Sequence, residues 1–170
     1  MRYIATFEKV SFGEFEKSVK EFLPNLSEQE IKAKYDSIKL PKRATKFSAG
    51  YDFFTYTDLD LKVGETLKVP TGIRCKMDGD FVLIIAPRSS LGFKYRMQLD
   101  NTIGVIDSDY YNAKNEGHIF IKITNDGKEN KTLSVKENEG FAQGIFLQYG
   151  LTTDDETNEE RVGGFGSTNK

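Results

Sequence analysis

The sequence predicts a mainly β fold, sandwich-like or barrel-like, with a helical hairpin added at its N-terminus. Short apolar runs recur between residues 52 and 149, divided by turn dipeptides, as in an all-β domain. Helical periodicity is confined to the first forty residues. The end of the chain is an acidic stretch without apolar period and then a glycine-rich segment, which predicts a mobile C-terminal arm.

The first helix is expected over roughly 12–23, because Phe15, Val19, Phe22 and Leu23 fall on one face. Pro24 ends it, since proline has no N–H for the helix ladder. Ser27 with Glu30 three residues on is a capping-box start, and Ile31, Tyr35 and Ile38 continue a second helical face over 28–37. After Pro41 the period changes. Strands are expected at 52–56, 66–69, 72–77, 81–86, 117–124 and 140–149, separated by Val63-Gly64, Asp78-Gly79, Asn125-Asp126-Gly127 and Asn138-Glu139-Gly140. Ile119, Ile121 and Ile123 share one strand face, with Phe120, Lys122 and Thr124 on the other. The polar run Leu-Thr-Thr-Asp-Asp-Glu-Thr-Asn-Glu-Glu-Arg at 151–161 reads as a linker.

A chain of 170 residues is enough for one domain with a real core. Its 24 basic and 26 acidic side chains give a formal charge of −2, which argues against wrapping nucleic acid. A nucleotide is a different matter, because a few arginines, backbone N–H groups and a metal ion can hold a triphosphate. Cys75 is the only cysteine, so no disulfide forms within the chain, and a reducing, cytoplasmic compartment is expected. With one cysteine and one histidine, His118, a four-ligand zinc site is not expected. No signal peptide is recognisable at the N-terminus, and no run approaches the ~20 apolar residues of a membrane span.

Several constellations carry chemistry. Arg88, Ser89 and Ser90, after an apolar strand, suit phosphate, with a guanidinium fork beside two hydroxyls. Taken alone, the segment fits an ordinary polar turn at least as well. Asn101 can read a pyrimidine edge, Gly104 permits close backbone approach, and Asp107 ends an apolar run where its carboxylate can orient a water. A simple β-turn explains those residues about equally. Phe165 among glycines can close over a planar base, with Ser167 and Thr168 free to bond phosphate, or it is merely a loose terminus. Gln143 is either a buried amide or a ligand contact. His118 and Cys75 read as packing residues.

In order along the chain these pieces resemble the homotrimeric dUTPase family. The matching segments are Ser48-Ala49-Gly50-Tyr51-Asp52, Pro87-Arg88-Ser89-Ser90-Leu91-Gly92, Gly104-Val105-Ile106-Asp107-Ser108-Asp109-Tyr110, Glu139-Gly140-Phe141-Ala142-Gln143, and Arg161 with Gly164-Phe165-Gly166-Ser167-Thr168. Each alone is weak; five in sequence are specific. The resemblance covers about three quarters of the chain and leaves out the N-terminal helices.

The resemblance implies a jelly-roll-like β fold, a homotrimer with three shared sites, and hydrolysis of dUTP to dUMP and pyrophosphate. It makes Asp107 the catalytic carboxylate, activating a water for attack on the α-phosphorus. Asn101 and the Gly104 backbone then bond uracil in a β-hairpin pocket, and Tyr110 packs under the deoxyribose. Arg88, Ser89, Ser90 and Gln143 hold phosphates, Phe165 stacks on uracil, and Arg161, Gly166, Ser167 and Thr168 belong to the closing arm. Mg2+ is implied, bound by phosphates and waters rather than directly by protein, with Asp52 in contact through water or else a turn residue.

The chain departs from the family pattern at Ser90, where glycine is common, in a longer link between Tyr110 and Gly117, and in the spacing of Arg161 from the glycines. The expected division is a helical extension at 1–39, a β core at 40–150, and a linker with nucleotide-closing arm at 151–170. Two other functions fit the same fold: deamination of dCTP, and a nucleotide-switched regulatory role. In the latter, a protein partner would meet the N-terminal helices or the loop after Tyr110.

Overall fold

The computed structural model describes residues 2–159, 161 and 163. Chain order runs β1 (Ala5–Lys9), α1 (Phe12–Phe22), α2 (Glu28–Ser37), β2 (Lys42–Arg43), β3 (Tyr51–Phe54), β4 (Leu59–Leu61), β5 (Thr66–Pro70), β6 (Ile73–Met77) and β7 (Phe81–Pro87). It continues α3 (Ser89–Tyr95), β8 (Met97–Leu99), β9 (Gly104–Ile106), a 3-10 turn (Ser108–Asn112), β10 (Phe120–Asn125), β11 (Leu133–Val135) and β12 (Gly140–Gln148).

All strand pairs are antiparallel, in sheets ordered β2-β3-β12-β7-β9, β5-β10-β8, β1-β6 and β11-β4. The inward faces of β10, β7 and β12 meet in one core, where Ile119, Ile121, Ile123, Leu83, Ile85 and Phe141 are buried. The isoleucine alternation at 119–123 holds, with Lys122 exposed on the opposite face. Among the described residues no helix is long and apolar enough to cross a membrane.

Both N-terminal helices form where periodicity places them. Ser11 caps α1 by accepting the Glu14 N–H, and Ser27 and Glu30 make the full capping box of α2. Phe15, Val19 and Ile31 are fully buried, and the Phe15 ring packs on Tyr35 and Tyr56 at 5.5 and 5.1 Å. The hairpin thus shares the core of the β domain. Gly72 makes the close approach possible: it has φ +71°, and a Cβ there would lie 2.5 Å from Ile38 Cδ1 and 3.0 Å from Phe15.

The structure adds elements that the sequence hides. β1 precedes the helices and pairs with β6 from Ala5 opposite Met77 to Lys9 opposite Ile73. Residues 89–95 form α3 rather than an open turn, because Leu91 and Tyr95 pack against the core. β4, β8, β9 and β11 are three residues each, too short for a period to show. β8 and β9 do not pair with each other; β8 joins β10 and β9 joins β7, so Asn101 sits in a crossover between sheets, not in a hydrogen-bonded hairpin. Cys75 is buried and its thiol is pushed up to about 12, so it stays protonated near neutrality.

His118 is also fully buried. Burial lowers its pKa from 6.5 to about 4, against the Glu116 carboxylate, which raises it, and with Lys68, which lowers it further; Glu14 also faces the ring. Below pH 6.5 the unfolded chain takes up a proton that the folded ring refuses, so this contribution is complete above 6.5 and is lost as pH falls toward 4. Glu14, raised mainly by its own burial, acts in the opposite sense and partly offsets it.

Two outcomes are expected from this packing. Phe15→Ala should cost about 3–5 kcal/mol in urea unfolding and keep a single transition; a separate early transition for the helices would show that they fold as an independent unit. Stability measured between pH 6.5 and 4 should fall, with a slope from His118 of at most about 1.4 kcal/mol per pH unit. His118→Gln should flatten that slope, and an unchanged slope would remove His118 as its source.

Candidate active site

Two clusters of predicted residues form, and they line separate pockets. The first gathers where β3, β12 and β7 run side by side. Gln143 pairs across to Asp52 on one side and Ala86 on the other, and Arg88 follows the end of β7. Ser48, Asp52, Arg88, Ser89, Ser90 and Gln143 line a pocket of about 300 Å³. Asp52 approaches Arg88 Nε at 3.4 Å, Arg88 also donates to the Gly140 carbonyl at 3.4 Å, and the Gln143 amide donates to the Pro87 carbonyl at 3.2 Å. The Arg88 side chain is 41% exposed, so its charge stays available to an anion. Gly50 leaves room for the Gln143 amide, since a Cβ there would stand 2.6 Å from Gln143 Oε1 and the side chain would have to shift.

The second pocket, about 390 Å³, lies between the β7–β9 edge and the β5-β10-β8 sheet. Asn101 and Gly104 line it with Ile85, Leu99, Ile106 and Phe120, an apolar slot with the polar residues Lys68, Asp100, Asn115 and Lys122 around it. Such a slot suits a planar base read at its edge. Gly104 crowds Ile85, to which an added Cβ would come within 3.0 Å.

Asp107 follows directly on β9 with its side chain 48% exposed, and Asp109 lies in the 3-10 turn beyond. Arg161 bridges them, donating to Asp107 Oδ2 at 2.5 Å and Asp109 Oδ1 at 2.8 Å. Its guanidinium also sits 5.8 Å from the Tyr110 ring. Tyr110 is 3% exposed, donates its hydroxyl to the His118 carbonyl at 2.7 Å and accepts from Asn115 Nδ2 at 2.8 Å.

Strand register separates the groups. Ile106 faces Leu83 on β7, so Asp107 lies toward the start of that strand, whereas Gly104 faces Ile85, nearer the end that leads to Arg88. Five residues from Leu83 to Arg88 span on the order of 15 Å. Within one chain the Asp107 end and the Arg88 pocket therefore stand apart. Phe165, Gly166, Ser167 and Thr168 lie outside the described residues. Sequence reasoning missed Lys68, Asp100, Asn115, Phe120 and Lys122 as pocket residues, because nothing in their local pattern distinguishes them from strand and loop positions. Ser48 was visible within its motif but had no role assigned.

Among the described residues no group of three or more His, Cys, Asp or Glu is placed to hold a metal ion. The Arg88 pocket offers hard oxygen donors, the Asp52 carboxylate and three serine hydroxyls, of the kind that meet a hydrated Mg2+.

The family model described as dUTPase matches residues 36–169. The deoxyuridine 5'-triphosphate nucleotidohydrolase of Lactococcus lactis is 40% identical over 144 residues, 82% of this chain and 95% of the relative. A dUTPase crystal structure from Streptococcus mutans is 32% identical, with TM-score 0.61, covering 86% of this chain and 97% of that one. A dUTPase variant from phage phi11 of S. aureus, described with a coordinated structural Mg(II) ion, is 19% identical with TM-score 0.57 over 71% of this chain and 90% of that one, and shares the fold.

Gly50→Ala should shift the Gln143 amide without unfolding the protein, changing stability by at most about 1 kcal/mol. It should weaken pyrophosphate binding several-fold by titration calorimetry; unchanged affinity would remove Gln143 from the anion pocket.

Proposed function

The chain belongs to the dUTPase family and hydrolyses dUTP, and on that premise we propose how its own residues carry the reaction. Asp107 holds a water and takes its proton as the water oxygen attacks the α-phosphorus. The bond between the α-phosphorus and the bridging oxygen breaks, and pyrophosphate leaves. Asn101 and the Gly104 backbone bond the uracil edge, and Tyr110 closes the space beside C2′ of the sugar. Arg88, Ser89, Ser90 and Gln143 receive phosphate oxygens. Phe165 stacks on the base, with Gly166, Ser167 and Thr168 in the same arm. Arg161 is poised between two partners. A triphosphate offers it more negative charge than Asp107 and Asp109 do, so transfer of the guanidinium to phosphate frees Asp107 for its water. Mg2+, bound with the triphosphate, neutralises phosphate charge; Asp52 and the pocket serines are the groups that meet its waters.

The observation that carries this reading is the separation of Asp107 from the Arg88 pocket. Asp107 follows Ile106, which pairs with Leu83, and the phosphate cluster lies past the far end of β7, so on this reading Asp107 works with the phosphate cluster of another copy of the chain. A homotrimer supplies it. Val105 on β9 and Leu147 on β12 support assembly, since both are about half-exposed apolar residues on the five-stranded sheet.

Pyrophosphate release with magnesium should be strongly selective for dUTP over dCTP, dTTP and UTP, from a particle of three 19.3 kDa chains by light scattering. Ammonia from dCTP would assign the deaminase chemistry instead, and a fully active monomer would refute the shared site. Asp107→Asn should keep fold and nucleotide binding but lose turnover by roughly 10²–10⁴-fold, the usual scale of a general base. Near-normal turnover would refute its role.

A further inference from the structure

The N-terminal segment lies before the region matched by the dUTPase family model, yet residues 8–18 hold the loop after Tyr110 at several points. The Ser11 N–H and hydroxyl both donate to the Glu116 carboxylate, at 2.7 and 2.5 Å. The Tyr111 hydroxyl donates to Glu8 at 2.8 Å, and Arg74 pairs with that same carboxylate at 2.9 Å while lying 4.5 Å from the Tyr111 ring.

The deepest tether is at His118. Its Nε2 accepts the Gly72 N–H at 2.9 Å, which assigns the ring proton to Nδ1. Nδ1 then donates to Glu14 Oε1 on α1 at 3.2 Å, with the Ser18 hydroxyl at 3.4 Å. Both ring nitrogens are thus engaged, and the ring lies 4.4 Å from Phe120. The carbonyl of this same residue accepts the Tyr110 hydroxyl.

We propose that Glu14 and His118 are positioning residues for sugar selection: α1 fixes the His118 ring, the ring fixes the residue 118 carbonyl, and that carbonyl fixes Tyr110 beside C2′ of the deoxyribose. This rests on the assignment of Tyr110 given above. The enlarged loop between Tyr110 and Gly117 explains why a brace is needed. A longer link constrains its ends less, and Gly117 at φ +70° packs directly against the Tyr110 and Tyr111 backbone, where a Cβ would come within 2.7 Å. An alternative is that the contacts only glue α1 to the core. The two readings differ in what they predict for substrate choice.

The test is the ratio of kcat/KM for dUTP to that for UTP, taken within each variant and well below its melting temperature, so that the fraction folded cancels. Glu14→Gln keeps an acceptor for the His118 Nδ1–H and should retain the wild-type ratio. Glu14→Ala should lower the ratio roughly five- to tenfold, the scale of one lost hydrogen bond, with UTP turnover preserved. Glu14→Asp withdraws the oxygen by one methylene and should fall in the same direction, which keeps the test open if the alanine variant does not fold. A wild-type ratio in both Ala and Asp variants, whatever their melting temperatures, would overturn the positioning role and leave only glue. Equal losses for Gln and Ala would overturn it too. Tyr110→Ala separates the levels: a lowered ratio there beside unaffected Glu14 variants sinks the brace alone, whereas an unchanged ratio sinks the Tyr110 assignment and the brace together.

Discussion

Strand β7 is hydrogen-bonded along both edges, to β12 on one side and β9 on the other, and that double pairing fixes where the reactive groups stand. Its buried residues Leu83 and Ile85 anchor it in the core. A slip of one residue would turn both to the wrong face, so register is strongly specified. With register set, Arg88 must emerge past one end of the strand, beside Gln143 and Asp52. Gly104 must lie against Ile85, and Asp107 must leave β9 in the opposite direction. The separation of Asp107 from the Arg88 pocket is a consequence of that antiparallel register.

The Arg88 pocket and the Asn101 slot differ in chemistry. The first is lined by a half-exposed arginine, serine hydroxyls and an amide, with a glycine kept bare so that the Gln143 side chain fits. It is suited to a strongly hydrated anion that exchanges water for charge-assisted hydrogen bonds. The second is apolar within and polar at its rim, suited to a flat ring whose edge must be read. Arg161 stands at the acidic turn after β9, paired with two carboxylates.

The helical hairpin is held in two ways. Its apolar face, Phe15, Val19 and Ile31, merges with the β core through hydrophobic contact. Its polar groups, Ser11 and Glu14, reach the loop that follows Tyr110 through directed hydrogen bonds. The first supplies stability without direction and the second supplies geometry, so removal of a single acceptor tests the second with little change to the first.

The sequence by itself determined the mainly β class, both N-terminal helices with their caps, the buried face at 119–123 and the family motifs, because these depend on local period, capping chemistry or short contiguous patterns. It singled out Arg88, Ser89, Ser90, Gln143, Asn101 and Gly104, which the structure gathers in pockets. It gave no sign of β1, of the three-residue strands or of α3, since a stretch that short takes its conformation from the neighbour it pairs with or packs against. Nor did it show that the site residues fall into two pockets, or that His118 links α1 to Tyr110. Those relations join residues as far apart as 46 and 104 positions. Only the tertiary structure decided them, because pairing register and burial bring such residues together and no local pattern records which partner each will meet.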